Sequence, residues 1–193
     1  ANALLKSLEE PNPSIIFILM ADSLSSLPGT IASRSQIFRF YPVSADLIYD
    51  HLVNEWGANR ELAKNLAQVC LGRPNLAIRF FEQPDLFTAY CQMAEVLLKL
   101  IVGQSLPERL LCLQQIYPKA NSTAGIAEWQ LWQLWLGLAR DLLLIKQGQL
   151  PLIQHWFLRQ QLTVAAEQIA WLNLLTIFTN LGAARQYLLA NVQ

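Results

Sequence analysis

Ile15-Ile16-Phe17-Ile18-Leu19-Met20 is a run of six apolar residues, rich in β-branched side chains, between the turn Pro11-Asn12-Pro13 and the polar pair Asp22-Ser23. Six residues suit a strand better than a helix, and the absence of polar alternation predicts burial on both faces, as in a parallel sheet. On its far side, Ser25 to Ser35 reads as a polar loop and a short helix containing Pro28 and Gly29. Gln36-Ile37-Phe38-Arg39-Phe40 then alternates and stops at Pro42, which predicts a second strand. On its near side, Asn2 to Glu10 sets Leu4, Leu5 and Leu8 on one helical face and ends at Pro11. Helix, strand, short helix and strand over residues 1–42 make the tail of an α/β sheet. That tail is too small to hold a core, so further strands are expected ahead of Ala1, and a start without Met fits a fragment.

From Pro42 onward the pattern is helical. Ser44 is placed to cap a helix running to about Trp56, and Gly57 closes it. Asn59 opens a second helix, with Leu62, Leu66 and Val69 at helical spacing, that ends near Gly72. Pro74, tolerated in a first turn, opens a third to about Phe81. Residues 43–83 are therefore a small three-helix bundle. Pro84 opens a long helix to Gly103, and Ser105 with Glu108 forms a capping box for the next, which runs to Tyr117. Lys119 to Gly125 reads as loop. A long helix from about Ile126 to Gln147 carries Trp129, Trp132, Trp135 and Leu136 close to one face. Helical stretches follow to about Gln161, from Thr163 to Asn180 and from Ala183 to Asn191. Residues 84–193 thus form a helical domain, and the fold class is mainly α with the end of an α/β sheet in front.

Of the 193 residues, 53% are apolar and 15% charged, with 14 basic groups against 14 acidic ones. That balance excludes disorder and supports a sizeable core. Zero formal charge disfavours independent binding to nucleic acid or an anionic membrane, and Lys6, Arg73 and Arg79 are too scattered to make a basic patch. Low charge with many Trp, Leu and Gln residues points instead to surface covered by a protein partner. The longest uncharged run, between Glu167 and Arg185, is interrupted by Gln168, Asn173, Thr176, Thr179 and Asn180. A membrane span needs about 20 mostly apolar residues, so this run predicts buried helices and no membrane association. The first residues have no secretory signal pattern. Cys70, Cys91 and Cys112 form no Cys-x-x-Cys pair and read as reduced cytosolic thiols packed in helices. With His51 and His155 far apart, no close ligand pair for a metal is present.

Several chemistries fail at the level of motif. None of the eight glycines begins Gly-x-x-x-x-Gly-Lys-Ser/Thr, the loop whose backbone N–H groups and lysine cradle phosphates. No Gly-x-Ser-x-Gly elbow occurs, and neither histidine has a local partner motif. His51 lies mid-helix near Asp50 and Glu55 and reads as a surface histidine. Glu9 and Glu10 are adjacent, so they point apart on a helix and make a poor acid/base pair. Arg34 differs. It ends a short exposed helix just before a strand, in Ile31-Ala32-Ser33-Arg34-Ser35, where a guanidinium can project away from its own subunit toward a neighbour's phosphoryl group. On spacing alone an ordinary surface ion pair is the better explanation.

Three blocks together resemble the bacterial clamp-loader AAA+ subunits of DNA polymerase III: Ala1-Asn-Ala-Leu-Leu-Lys-Ser-Leu-Glu-Glu-Pro11, Ile16-Phe-Ile-Leu19, and Leu27-Pro-Gly-Thr-Ile-Ala-Ser-Arg-Ser35 with Phe38-Arg-Phe40. The family pattern is Asn-Ala-Leu-Leu-Lys-x-Leu-Glu-Glu-Pro, an apolar sensor-1 strand, and Ser-Arg-Cys ahead of a strand. The resemblance implies three parts: an AAA+ α/β remnant over 1–42, a three-helix lid over 43–83 and a helical collar for oligomerisation over 84–193. Asn180-Leu-Gly-Ala-Ala-Arg185 is loosely similar to a stretch of the collar. ATPase members carry a Thr after the sensor-1 strand and a Gly-x-x-Arg sensor-2 motif. Here the first region reads Leu19-Met-Ala-Asp22-Ser23, and Asn75 in Gly72-Arg-Pro-Asn-Leu-Ala77 stands at the sensor-2 arginine. Asp22 and Asn75 therefore mark degenerate sensor positions, and the Gly-x-Pro spelling looks like the delta-prime type, which does not hydrolyse ATP. Ser35 replaces the family's Cys, while Arg34 keeps its arginine finger, flanked by Ser33 and Ser35. By resemblance the chain binds no cofactor itself and serves ATP at a neighbouring subunit. Its implied partners are the gamma/tau and delta subunits, and through the complex the sliding clamp and primer-template DNA, in the cytoplasm. A gamma/tau-type ATPase and a non-replicative helical adaptor remain the alternatives.

Overall fold

In the computed structural model, which describes residues 14–21, 23–103, 105–116 and 128–189, the chain divides into two units, Ala1–Tyr41 and Pro42–Gln193. Among its described residues the first unit contains a 3₁₀ turn at Leu24–Ser26 and one short helix, α1 (Gly29–Ala32), whose Ile31 is buried. The expected strands at 15–20 and 36–40 do not form a ladder: no strand occurs among the described residues. A strand exists only through hydrogen bonds to a neighbour, and neither run has one among these residues. The side chains nevertheless keep a strand's period of two. Ile15, Phe17 and Leu19 are 50%, 38% and 41% exposed, whereas Ile16, Ile18 and Met20 are 88%, 83% and 95% exposed. The helix expected at Asn2–Glu10 lies outside the described residues.

The described residues of the second unit are mainly helical. The first two helices start where polar caps dictate: Ser44 Oγ accepts the Leu47 N–H for α2 (Ala45–Asn54), and Asn59 Oδ1 accepts the Leu62 N–H at 2.7 Å for α3 (Arg60–Val69). Pro74 takes the first position of α4 (Pro74–Glu82), and Pro84 that of α5 (Pro84–Val102). Ile48, Leu52, Ala63, Leu66, Ala67, Cys70 and Ala77 close one hydrophobic cluster, flanked by Phe80, Phe81 and Phe87. Ser105 Oγ accepts the Glu108 N–H at 3.4 Å ahead of α6 (Leu106–Ile116), which buries none of its residues.

The second cluster is built around α7 (Glu128–Lys146). Its Leu131, Leu134, Leu138 and Leu142 recur at helical spacing and meet Ala94, Leu97 and Leu98 of α5. Leu162, Ala165 and Ala166 of α8 (Arg159–Gln168) and Leu174 of α9 (Trp171–Leu189) complete it. Residues 150–158 differ from the expected helix, holding two 3₁₀ turns, Leu150–Leu152 and Trp156–Leu158, with Ile153 to His155 buried between them. The break expected near residues 181–182 is also displaced. The chain turns at Ile169, whose extended backbone (ψ 128°) ends α8 and whose side chain packs on the cluster, while α9 runs on through Gly182. Among the described residues no single helix is long and apolar enough to cross a membrane; Trp156–Gln168 with Trp171–Ala184 reaches that length only as a pair bent by 114°.

Candidate functional site

Arg34 follows α1 and is exposed. Its Nη1 donates to the Thr30 carbonyl at 3.2 Å, the same oxygen that accepts the Ser33 hydroxyl at 3.2 Å. Ser35 Oγ donates to the Ile31 carbonyl at 2.8 Å. Three side chains of the Ser-Arg-Ser motif thus satisfy carbonyls at the end of α1, where a cation is electrostatically favoured. The motif holds together as a local unit on the surface.

Asn75 is the second residue of α4 and is exposed. The turn before it is tightly specified. Leu71 and Gly72 both have positive φ, 47° and 78°. A Cβ on Gly72 would fall 2.4 Å from the Cβ of Pro42, and the Gly72 carbonyl accepts the Val43 N–H at 2.9 Å. Arg73 Nε donates back to the Cys70 carbonyl at 3.0 Å, and its Nη1 donates to Gln133 Oε1 at 3.5 Å. Asp22, the other degenerate sensor position, lies outside the described residues, as do the side chains of Trp129 and Arg185.

Trp132 and Trp135 pack against each other at 6.3 Å between centroids, and Trp135 also joins the second cluster. Both indole Nε1 atoms are buried with no hydrogen-bond partner among the described residues. His51 Nε2 accepts the Trp56 Nε1–H at 3.2 Å on the outside of α2. No grouping of His, Cys, Asp or Glu among the described residues could hold a metal ion. Burial pushes the Cys70 thiol up to about 12; Arg73 opposes this only in part. Burial, with the Glu95 carboxylate adding to it, also pushes Cys91 up to about 12. Both thiols are therefore protonated and poor nucleophiles.

One buried polar cluster has no counterpart in the motif reading. Asp141 on α7 and His155 are both fully buried. Asp141 Oδ1 accepts the Gln154 N–H at 2.9 Å, and Oδ2 accepts the His155 N–H at 2.8 Å and lies 2.7 Å from His155 Nδ1. Tyr90 Oη lies 2.9 Å from His155 Nε2, with the two rings stacked. Gln154 Nε2 donates to the Val69 carbonyl at 3.1 Å. These contacts form a continuous chain. Nδ1–H of His155 donates to Asp141, Nε2 shares a hydrogen bond with the tyrosine hydroxyl, and that hydroxyl accepts a long bond from Gln154 Nε2 at 3.5 Å. Burial holds the Tyr90 hydroxyl well above its ordinary range, so it remains a donor. The Asp–His–Tyr order resembles a catalytic relay, but the full burial of Asp141 and His155 makes it a structural device. Its sequence signal was a lone Asp within Leu138-Ala-Arg-Asp-Leu-Leu143 and a His within Ile153-Gln-His-Trp-Phe157.

Residues 1–44 match the family described as "DNA polymerase III, delta subunit". Over 84 residues, 43% of this chain, the sequence is 40% identical to the DNA polymerase III subunit delta' of Haemophilus influenzae. The match spans 25% of that relative's length. No solved structure matches. The resemblance to a delta-prime-type DNA polymerase III subunit is thereby borne out.

Proposed function

We propose that this chain is part of a delta-prime-type clamp-loader subunit that does not hydrolyse ATP. It helps assemble, in the cytoplasm, the loader that opens the sliding clamp and places it on primed DNA. The observation that carries this reading is the family match over residues 1–44, which includes the Ser33-Arg34-Ser35 motif, together with the exposed position of that motif after α1. Arg34 supplies an arginine finger to ATP bound at the adjoining gamma/tau subunit, with Ser33 and Ser35 holding the end of α1. Asn75 in place of the sensor-2 arginine supports the absence of hydrolysis, since an amide cannot neutralise a γ-phosphate. The helical residues 84–193 serve as the collar and residues 43–83 as the lid. The exposed Leu106, Leu110 and Leu111 of α6 fit surface that a neighbouring subunit covers.

Reconstituting the loader with Arg34→Ala in the full-length subunit tests the assignment. Turnover at the ATP site facing Arg34 should fall by about 10³ or more, the size of arginine-finger effects elsewhere. Assembly, read by gel filtration, should persist, and Arg34→Lys should not restore the rate, because a lysine lacks the planar fork. ATPase activity equal to the parent's would remove the finger from the reading.

A further inference from the structure

The two hydrophobic clusters of residues 42–189 are joined covalently through Gln83, the single residue between α4 and α5. Apolar contact is non-directional, so cluster against cluster alone would let the two bundles slide or rotate about that joint. The buried polar chain crosses the same boundary at a different place. It begins at the Val69 carbonyl, at the end of α3, a helix of the first bundle. It passes through Gln154 to the Asp141 carboxylate of α7, and through Tyr90 of α5 to His155. Two outer contacts run in parallel: Arg73 reaches Gln133, and Lys64 Nζ of α3 sits 3.9 Å over the Trp156 ring.

We propose that Gln154, seated by the Tyr90–His155–Asp141 network, is a lock that fixes the angle between the two bundles and makes residues 42–189 one rigid body. Hydrogen bonds are directional, and a buried donor that loses its acceptor has no water to replace it. Rotation of one bundle past the other would strand Gln154 Nε2, and with it the amide that sits against Tyr90. Gln154 has no alternative orientation available: its Oε1 is buried without a partner, so flipping the amide would set that oxygen against the Val69 carbonyl. The seat is shaped for it. Gly137 of α7 leaves room where a Cβ would come 2.6 Å from Gln154 Oε1 and 2.9 Å from His155 Cε1.

Native-state hydrogen exchange on the full chain tests the lock with two variants. Tyr90→Phe removes one oxygen and keeps the ring against Phe80, Phe87 and Phe157; Gln154→Met removes the bond to Val69 while roughly keeping volume. In the parent, the slowest amides of α2–α3 and of α7 should exchange together, as one cooperative body. In Gln154→Met, α2–α3 amides should exchange about tenfold or more faster than those of α7, which keep their protection; Tyr90→Phe, which loosens only the seat of Gln154, should show the same split to a smaller degree. Equal acceleration in both bundles would overturn the lock, because that is general destabilisation. Unchanged exchange in both would overturn it as well.

Discussion

In residues 14–41, Met20 and Phe40 are 95% and 96% exposed, while in residues 42–189 Leu52, Leu66, Leu138 and Leu174 are fully buried. Both regions are rich in large apolar side chains. What separates them is how each kind of backbone completes itself. A helix closes its own N–H and C=O groups, so ten-residue pieces such as α2 and α3 need only a neighbour's apolar stripe, and the chain supplies one a few residues later. A strand completes neither its backbone nor its two faces without other strands and covering layers. The run at 15–20 shows how far a strand sequence goes alone: it sets the alternation of side chains and nothing more.

That contrast can be broken from its strongest point outward. Asp141→Ala would leave two backbone N–H groups and an imidazole without their acceptor in the interior. It should lower the stability of the helical unit by about 4 kcal/mol in urea unfolding followed by tryptophan fluorescence. A loss below about 1 kcal/mol would mean that water reaches the site. Next comes a matched pair. Leu138→Ala, at a fully buried position, should cost about 3 kcal/mol, whereas Phe40→Ser should stay within about 0.5 kcal/mol. Similar costs for the two would erase the distinction between the regions. The smallest effect is alkaline. The folded Cys70 holds its proton until about 12, while an unfolded thiol releases it near 8.5. Stability should therefore be flat below about pH 8.5 and fall as pH rises toward 12, with Cys70 contributing about 1.4 kcal/mol of the loss at pH 9.5 and Cys91 adding to it. Cys70→Ala should make that limb shallower, and an unaltered slope would assign it to other groups.

Local chemistry in the chain foretold local structure well. Ser44 and Asn59 were readable as caps, and Pro74 and Pro84 as first-turn residues, because each acts on the next three or four positions. The turn at Ile169 was missed because no Gly or Pro marks it; packing on the second cluster sets it instead. The break expected between Asn180 and Ala183 does not occur, since Gly182 sits at an open position that a helix tolerates. Of the candidate site, the Ser33-Arg34-Ser35 motif was visible because its bonds span three or four residues. The polar network was not: its partners lie far apart in the chain, from Val69 to His155, and nothing local announces that they meet.

Gly137 gives this last point a practical edge. In a long helix it is the residue that propensity alone would replace first, for a nominal gain of about 1 kcal/mol from alanine. Here the added methyl would strike Gln154, which joins the bundles, and His155 beside it. An engineer ranking substitutions by helix propensity would thus begin at the position with the least room for change. A sequence drifting neutrally would meet the same wall.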